Sequence, residues 1–358
     1  MPASLISRLS LVIPLVQAPM AGVSTPSLAA AVAEQGALGS IAVGAADAAG
    51  AWAMIEETRT QTSRAFNVNL FVHANAKADA AKEAAWLEWL APVFAEFGAE
   101  PPTTLRPIYR SFADDPDMLA MLLDVAPAVV SFHFGLPSAA IISALRARGI
   151  VLIATATNLE EAHKIERAGI DAIVAQGIEA GGHRGIFDPV APDPGLGTVA
   201  LTRLLVLNTR LPVIAAGGLM DGAGIASALD LGAVAAQLGT AFIACPESAA
   251  DDAYRAALTG PGAYHTALTS LISGRPARAL PNRFVGLAAS LGDHLPPDYP
   301  IAYDAGKALH AAARTRGEHG FGAQWAGQGA PLARVMPAAD LVQALRTELQ
   351  ACRNARPT

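Results

Sequence analysis

The chain has 358 residues, of which 52% are hydrophobic and only 16% charged, a composition that excludes disorder as its main state. Its formal net charge of -6 offers no cationic surface for a phosphate backbone, so we expect no nucleic acid partner. The length exceeds that of a typical single domain, yet one large αβ barrel with a terminal extension would account for all of it.

The first apolar stretch, Leu9 to Val16, superficially resembles a secretion signal because it follows Arg8. It is short, contains Pro14 and continues directly into a QAPM motif at 17–20, so we interpret it as a first strand. No apolar run in the chain reaches the roughly 18 residues that a membrane helix requires. We therefore expect a protein without a membrane partner.

Short β-like runs alternate with longer helical stretches rich in Ala, Leu and Glu, as expected for βα units and a parallel sheet. The predicted strands are 14–18, 38–42, 66–70, 128–132, 150–154, 171–175, 212–216 and 234–238. Eight such strands predict an α/β protein of the (β/α)8 TIM barrel type, whose active sites follow the strand C-termini. An open doubly wound sheet is the main alternative, although the GxGxxG turn of a Rossmann site is missing after the first strand.

Two segments exceed a minimal barrel. The first, at about 79–124, is predicted to be an insertion after strand three and contains Tyr109. The second, 261–358, is predicted to be a helical extension at the C-terminal end of the chain. We therefore predict a barrel at 1–260, including the insertion, with the extension packed over the barrel mouth and contributing residues to a substrate pocket.

Histidines follow two of the predicted strands. The segment NVNLFVH at 67–73 ends strand three with His73, and SFHFG at 131–135 ends strand four and contains His133. Strand alternation places His73 on the same face as Asn69. A lone histidine in an apolar context is more often a hydrogen-bonded core residue, but a third histidine after strand six favours a catalytic rim.

A glycine-rich loop, QGIEAGGHRG at 176–185, follows predicted strand six. Four glycines surround His183 and Arg184, which favours a ligand-binding loop. The alternative is a solvated turn in which both side chains face water. Histidine is readily tuned to exchange protons near neutral pH, so His183 is the first candidate for a catalytic base.

Two further glycine turns follow predicted strands seven and eight. Gly217 and Gly218 end the first of these strands, and Gln237-Leu-Gly239-Thr240 ends the second. Glycine lets backbone N–H groups approach an anion closely, and barrels often bind phosphate after strands seven and eight. The two turns together predict a phosphate site, although either one alone could be an ordinary tight turn.

Tyr299, Tyr303 and Lys307 recur at i, i+4 and i+8, and Pro300 can occupy the first turn of a helix. One helical face would then carry two phenols and an ammonium group, a surface suited to a small anion. The alternative is an amphipathic helix with half-buried tyrosines and a solvated lysine.

Several other chemistries lack their motifs. No GxSxG, HExxH or Walker sequence occurs, which argues against hydrolase and NTPase functions. Cys245 and Cys352 cannot build a disulfide framework, and neither lies in a zinc-binding array. We therefore expect the protein to work in a reducing cytoplasm.

These motifs together resemble a known family, the nitronate monooxygenases, formerly called 2-nitropropane dioxygenases, and within it the bacterial class I group. The likeness covers nearly the whole chain, and the Gly-Gly-His-Arg-Gly loop is its most specific part. It rests on residues 17–20, 67–71, 131–135, 176–185, 212–218, 237–240 and 273–275, together with Asn282.

The resemblance implies a metal-free barrel that uses FMN as its cofactor. The implied FMN contacts are Met20, Asn69, Gln176, Gly181, Gly182, Gly217, Gly218, Gln237, Gly239 and Thr240. Among these, Gly218, Gln237, Gly239 and Thr240 would lie nearest the phosphate.

The resemblance also implies the oxidation of alkyl nitronates by dioxygen to a carbonyl compound and nitrite, through a flavin semiquinone, with propionate 3-nitronate as the suspected substrate. The implied substrate pocket contains His73, Tyr109, His133, His183, Tyr299, Tyr303 and Lys307. His183 and His133 are the candidate catalytic residues. If neutral nitroalkanes are also substrates, His183 would remove the α-proton.

Two other functions are compatible with the same motifs. One is an FMN-dependent NAD(P)H:quinone or enoyl reductase, since related barrels bind the same cofactor. The other is a flavin-binding or phosphate-ligand module without turnover.

Overall fold

The computed structural model describes residues 5–355, and its centre is an eight-stranded parallel barrel. Its strands are β1 (Leu15–Gln17), β2 (Gly39–Ala42), β3 (Phe66–Phe71), β4 (Val129–His133), β5 (Val151–Ala156), β6 (Ala172–Gln176), β8 (Val213–Ala216) and β9 (Ala235–Leu238). The order around the sheet is β1-β9-β8-β6-β5-β4-β3-β2. A parallel bridge between Val16 and Leu38 joins the two edges. The predicted TIM barrel is confirmed, and the doubly wound alternative is wrong.

A second, antiparallel sheet lies beside the barrel. It consists of β7 (Gly182–His183), β10 (Ala267–Thr269) and β11 (Ala277–Ala279), in the order β10-β11-β7. This sheet connects the glycine-rich loop after β6 to the segment that follows the barrel. The sequence did not predict it, because a two-residue strand carries no periodic signal.

The first strand is shorter than the apolar stretch suggested. Of the stretch 9–16, only Leu15 and Val16 belong to β1, so the interpretation of the whole stretch as a strand was wrong. The residues before Pro14 form turns, in which the backbone N–H groups of Val12 and Ile13 both donate to the carbonyl of Gly36. Pro14 lacks an N–H group and cannot contribute a donor to a longer strand.

Helices connect the strands and extend the chain beyond the barrel. They are α1 (Leu5–Arg8), α2 (Pro26–Glu34), α3 (Ala48–Gln61), α4 (Ala80–Glu96), α5 (Pro116–Val125), α6 (Ala139–Ala147), α7 (Leu159–Arg167), α8 (Thr198–Asn208), α9 (Gly222–Asp230), α10 (Thr240–Ile243), α11 (Asp252–Thr259), α12 (Arg283–Gly286), α13 (Ile301–Arg314) and α14 (Ala338–Asn354). Side chains that accept backbone N–H bonds begin several of them, including Asp47 at α3, Asn158 at α7 and Asp221 at α9. None of the helices within 5–355 has the length and hydropathy of a membrane-spanning segment.

The two helices in the insertion after β3 have different surroundings. Helix α5 packs between α3 and α6 in the outer ring of the barrel. Helix α4 instead packs against α13, where Trp86 and Phe94 share an apolar cluster with Phe284 and Leu309. This cluster fixes α13 above the C-terminal ends of the strands. The part of the predicted insertion that lies outside the ring is therefore α4 and the loop that follows it.

The C-terminal helix lies on the flank of the barrel. Helix α14 packs against α9 and α2, and its Glu348 carboxylate accepts the backbone N–H of Gly222 at 2.8 Å. The extension is thus divided between α13, which covers the mouth, and α14, which covers the side.

Candidate active site

A cavity of about 540 Å³ opens at the C-terminal ends of the barrel strands. This is the end at which TIM barrels carry their active sites. The volume falls in the range of small-molecule and cofactor sites. Its two ends differ in chemistry, since backbone and glycine form one end and aromatic rings with a lysine form the other.

One end is the glycine wall, which comprises residues 217–218 and 237–240 after the neighbouring strands β8 and β9. Gly217 and Gly218 have φ angles of +126° and +69°, values that side chains rarely adopt. The backbone N–H groups of Gly218 and Gly239 have no hydrogen-bond acceptor within the described residues. Free N–H groups beside glycine are the donors that a phosphate needs. Gln237 and Thr240, also predicted cofactor contacts, line the same wall.

The floor of the cavity is formed by side chains at the ends of β3, β4 and β6. The Asn69 amide on β3 donates to the Ser131 hydroxyl on β4 at 2.9 Å. The Gln176 amide donates to the carbonyl of His183 at 3.0 Å and accepts the N–H of Gly185 at 2.7 Å. Gln176 thus holds the glycine-rich loop in addition to lining the cavity. Met20, from the loop after β1, lines the cavity as well.

The glycine-rich loop places His183 in the cavity wall, beside Gly181 and Gly182. The His183 Nε2 atom lies 2.8 Å from the Ser273 hydroxyl, and its Nδ1 atom has no hydrogen bond within the described part of the chain. Burial, together with smaller effects of the nearby His133 and Arg275, lowers the pKa of His183 to about 3. The imidazole is therefore neutral at pH 7.

His133 also lines the cavity, but both of its ring nitrogens are occupied. Its Nε2 lies 3.2 Å from the His183 carbonyl, and its Nδ1 lies 3.1 Å from the Thr155 hydroxyl. A carbonyl can only accept, so Nε2 carries the proton and Nδ1 accepts from Thr155. Burial lowers the pKa of His133 to about 4. This arrangement leaves His133 no free nitrogen for a substrate and ties it to the position of His183.

Arg184 lies outside the cavity, although it follows His183 directly. Its guanidinium is buried, pairs with Asp193 at 2.8 Å and donates to the carbonyls of Gln176 and Gly177. The alternative of a solvated turn is therefore wrong for Arg184, and this arginine stiffens the loop. Its partner was not predicted, because Asp193 lies nine residues further on in an irregular segment.

The other end is the aromatic wall, which comprises Tyr109, Tyr299, Tyr303 and Lys307. The Tyr109 and Tyr303 ring centroids lie 5.7 Å apart, and the Lys307 Nζ lies 5.0 Å from the centroid of Tyr109. Burial raises the pKa of Tyr109 to about 12, and it also raises the pKa values of Tyr299 and Tyr303. The three hydroxyls therefore remain protonated and can donate hydrogen bonds.

Tyr299 does not share a helical face with the other two residues. Helix α13 begins at Ile301, so it contains Tyr303 and Lys307, whereas Tyr299 lies two residues before it. The expected i, i+4, i+8 arrangement on one helix was therefore wrong in its first position. All three side chains nevertheless reach the cavity.

His73 is not among the residues that line the cavity. It is buried behind Tyr299, with the two ring centroids 5.0 Å apart, and its Nδ1 lies 3.0 Å from the carbonyl of Ala74. The His73 Nε2 atom is buried without a hydrogen-bond partner in the described residues. Burial also lowers the pKa of His73. Of the predicted substrate contacts, His73 is the one that does not line the cavity, and it contacts the lining residue Tyr299 instead.

Several residues around the site were not predicted as functional. Ser273 and Thr155 hold the two histidines, and Arg275 lies behind them. The loop at 324–329 also closes the cavity, and the Gly327 N–H donates to the Thr240 hydroxyl at 3.0 Å. Among these residues, only the Ser-Gly-Arg sequence at 273–275 was noted in the sequence as part of the family resemblance. That resemblance did not indicate which atoms Ser273 and Arg275 would contact.

Comparison with known proteins agrees with this geometry. The nitronate monooxygenase family model matches residues 3–348. The chain belongs to the nitronate monooxygenase family. As a member of this family, the protein is a flavin-dependent oxidoreductase.

Two relatives and one solved structure show how close the likeness is. Nitronate monooxygenases from Paraburkholderia phytofirmans and Pseudomonas aeruginosa are 61% and 58% identical over 337 residues, which is 94% of this chain and 92% and 96% of theirs. The nitroalkane oxidase of Streptomyces ansochromogenes superposes with a TM-score of 0.90 at 41% identity, over 98% of this chain and 99% of that one. This nitronate monooxygenase family member thus shares both sequence and architecture with its relatives over nearly its whole length.

Proposed function

We propose that this protein uses FMN to oxidise alkyl nitronates, with propionate 3-nitronate as the natural substrate, by dioxygen to a carbonyl compound and nitrite. The observation that carries the proposal is one cavity with two unlike ends. Unpaired backbone donors lie at the glycine wall, and a cation with three protonated phenols lies at the aromatic wall. The names of the relatives, nitronate monooxygenase and nitroalkane oxidase, point to the same chemistry. Both cysteines are free thiols, which supports a reducing cytoplasm.

The residues present fit FMN. The phosphate would bind the free N–H groups of Gly218 and Gly239, and the ring system would lie over Asn69 and Gln176 on the floor. A side chain at position 218 would need a left-handed backbone beside these donors, which only glycine adopts readily. Bound FMN would accept electrons from the substrate and pass them to dioxygen. The remaining chemistry is binding and orientation, which the chain itself supplies.

The aromatic wall is suited to an anion. Lys307 forms no salt bridge within the described residues, so its charge is available to a bound anion. Charge-assisted hydrogen bonds from this ammonium group and from the tyrosine hydroxyls would fix the nitro oxygens of a nitronate. Tyr299 is buried and Tyr109 and Tyr303 are half-buried, so the bonds from the phenols would form with less competing water than the bond from the exposed Lys307.

His183 is the residue best placed to take a proton, because its Nδ1 atom is free. A neutral imidazole with a pKa of about 3 is, however, a weak base at pH 7. A nitronate has already lost its α-proton and does not require a base. We therefore propose the nitronate as the main substrate, with neutral nitroalkanes oxidised more slowly through His183.

The proposal is tested with the purified protein as it exists in solution. We expect a yellow protein that releases FMN on denaturation, and a one-electron change in its visible spectrum when propionate 3-nitronate is added without oxygen. Admission of air should then restore the oxidised spectrum and yield nitrite. A colourless protein that cannot be reconstituted with FMN would contradict the cofactor assignment.

The same preparation distinguishes the reductase alternative. Rapid anaerobic bleaching by NADH, with no spectral response to the nitronate, would replace the proposed function by NAD(P)H-dependent reduction of a quinone or an enoyl compound. A yellow protein inert towards both compounds would indicate a binding module without turnover.

A further inference from the structure

Three arginines are buried near the cavity, and only one of them has a carboxylate partner among the described residues. Arg278 lacks one, and its guanidinium donates to the carbonyls of Ile178 and Thr266 instead. Arg184 is paired with Asp193. Arg275 is 3% exposed and forms no salt bridge within residues 5–355. Its Nη2 donates to the carbonyl of Ile186, while its Nε has no hydrogen-bond partner. Because a buried charge without a close counter-ion is unfavourable for folding, its presence next to a cavity indicates a function.

The Arg275 charge lies one aromatic ring behind the site. The guanidinium carbon is 4.2 Å from the centroid of the Phe134 ring. That ring contacts His183 and Tyr299, with centroid distances of 5.6 Å and 5.4 Å, and both of these residues line the cavity. Neither Arg275 nor Phe134 is among the lining residues. The cation is therefore close to the binding region without touching a ligand.

The backbone of Phe134 is consistent with a constrained position. Its φ angle is +77°, which is rare for a bulky residue and is kept only where the surroundings enforce it. The turn that carries Arg275 also supports His183, because the Ser273 hydroxyl lies within hydrogen-bond distance of both the Arg275 carbonyl and the His183 ring. The charge and the imidazole are thus held by the same short segment.

The carboxylates that face Arg275 are more distant and have other partners. Glu161 accepts the Phe187 N–H at 2.8 Å and the Thr157 N–H at 2.7 Å, and Asp188 is exposed. Both interact with Arg275 only through long-range electrostatics. The Arg275 charge in turn contributes to the low pKa values of His133 and His183, so its field reaches the cavity.

We propose that Arg275 is a positioning residue that acts through the Phe134 ring and supplies a buried positive charge which, added to the Lys307 ammonium, makes the site prefer an anionic nitronate to its neutral nitroalkane. This inference deepens the proposed function and rests on it for the identity of the substrate. The charge preference itself is a property of the pocket and is measurable without turnover.

The test compares Arg275→Met with Arg275→Lys in the flavin-loaded protein. The probe is sodium nitrate, a planar anion with the O–N–O group of a nitronate, and its Kd is read from the perturbation of the flavin spectrum. We expect Arg275→Met to weaken nitrate binding about tenfold and Arg275→Lys to weaken it less than about threefold, because a nearby charge in a poorly solvated site acts strongly. The KM for neutral nitroethane should change by less than about twofold, since a neutral molecule has no net charge to interact with.

Three results would overturn the inference. They are unchanged nitrate binding in Arg275→Met, equal losses in the Met and Lys variants, and a wild-type protein that binds nitrate no better than nitroethane. Equal losses would indicate that Arg275 only packs against Phe134. Arg316→Gln is the matched control, because Arg316 is exposed and is not among the cavity-lining residues.

A surface variant keeps the inference testable if Arg275→Met does not retain flavin. Asp188→Asn removes an exposed carboxylate that faces Arg275, and we expect it to tighten nitrate binding by up to about twofold. Unchanged or weaker binding would count against the proposal. If nitrate binding depends on Arg275 while no nitronate is oxidised, the proposed function fails and the charge preference stands. If the nitronate is oxidised but nitrate binding does not depend on Arg275, the proposed function stands and the charge preference fails.

Discussion

The glycine wall and the aromatic wall line one cavity, but they are built in different ways. The glycine wall comes from two consecutive βα turns whose strands, β8 and β9, are hydrogen-bonded neighbours. The aromatic wall combines Tyr109 from the insertion with Tyr299, Tyr303 and Lys307 from the extension, nearly two hundred positions later in the chain. Packing of α4 against α13 is what brings them together.

This difference separates the two tasks of the site. Backbone geometry within the barrel forms the end proposed for the cofactor, at the ends of two hydrogen-bonded strands. The end proposed for the substrate depends on side chains from segments added to the barrel. Substitutions in the aromatic wall should therefore alter substrate use while cofactor binding is retained, and substitutions in the glycine wall should do the reverse. Each of the following predictions tests this separation.

The largest expected effect concerns His183, which lies between the two walls. His183→Asn should lower kcat/KM for a neutral nitroalkane by about 10²- to 10⁴-fold, the usual contribution of a general base. It should lower kcat/KM for the preformed nitronate far less, because that substrate needs no proton removed. FMN content should not change, and steady-state kinetics with nitroethane and ethyl nitronate measure both values. Equal losses with the two substrates would contradict the role of His183 as a base.

The next effect is on stability and concerns the histidines of the site, since the glycine wall contains no titrating side chain. The folded-state pKa values of His133 and His183 are about 4 and about 3, below the ordinary value of 6.5. Between pH 6.5 and about 4 the unfolded chain therefore binds protons that the folded chain does not, and stability is lost as the pH falls. The slope should approach about 1.4 kcal/mol per pH unit for each histidine.

Thermal unfolding between pH 4 and 7 measures this slope. His183→Asn should reduce the pH dependence of Tm without abolishing it, because His73, His133 and His310 still titrate with lowered pKa values. His265→Asn is the control, since His265 is exposed and is not among the residues that line the cavity. A pH dependence unaffected by His183→Asn would mean that His183 is solvated in solution.

The two walls also differ in how far the sequence predicted them. The eight strands and the glycine turns are local patterns, so their positions were predicted to within about two residues. The tautomer of His133 was not predictable, because it depends on Thr155 and on the carbonyl of His183. Both partners are distant in sequence and become neighbours only when the barrel closes.

The errors have the same physical origin. His73 has the strand alternation of a cavity residue, yet Tyr299 occupies the space in front of it. Arg184 belongs to a loop whose composition favours ligand binding, yet its guanidinium forms a salt bridge with Asp193. In each case a contact with a residue outside the local pattern decided the environment of the side chain. The Ser-Gly-Arg sequence pointed to Arg275 but not to its environment, because the lack of a carboxylate partner among the described residues emerges only from the fold.

A substitution in the glycine wall should affect the cofactor selectively. Gly218→Val places a branched side chain at φ +69°, which costs about 1 to 3 kcal/mol, and crowds the free N–H group. We expect the Kd for FMN to rise about tenfold or more, measured by fluorescence titration of the apoprotein, with secondary structure unchanged by circular dichroism. Gly286→Ala is the control, since nothing lies within 4 Å of the added methyl group. Unaltered FMN binding in Gly218→Val would place the phosphate elsewhere.

The smallest expected effect concerns the aromatic wall alone. Lys307→Gln should raise KM for propionate 3-nitronate by about three- to tenfold, with kcat and FMN binding little changed, because the exposed ammonium group orients the anion but is partly screened by solvent. Lys307→Arg should recover most of the loss, since it retains the charge above Tyr109 and Tyr303. The KM for nitroethane should be the same in all three proteins. Weaker FMN binding in Lys307→Gln would mean that the two walls are energetically coupled and that the separation of their tasks does not hold.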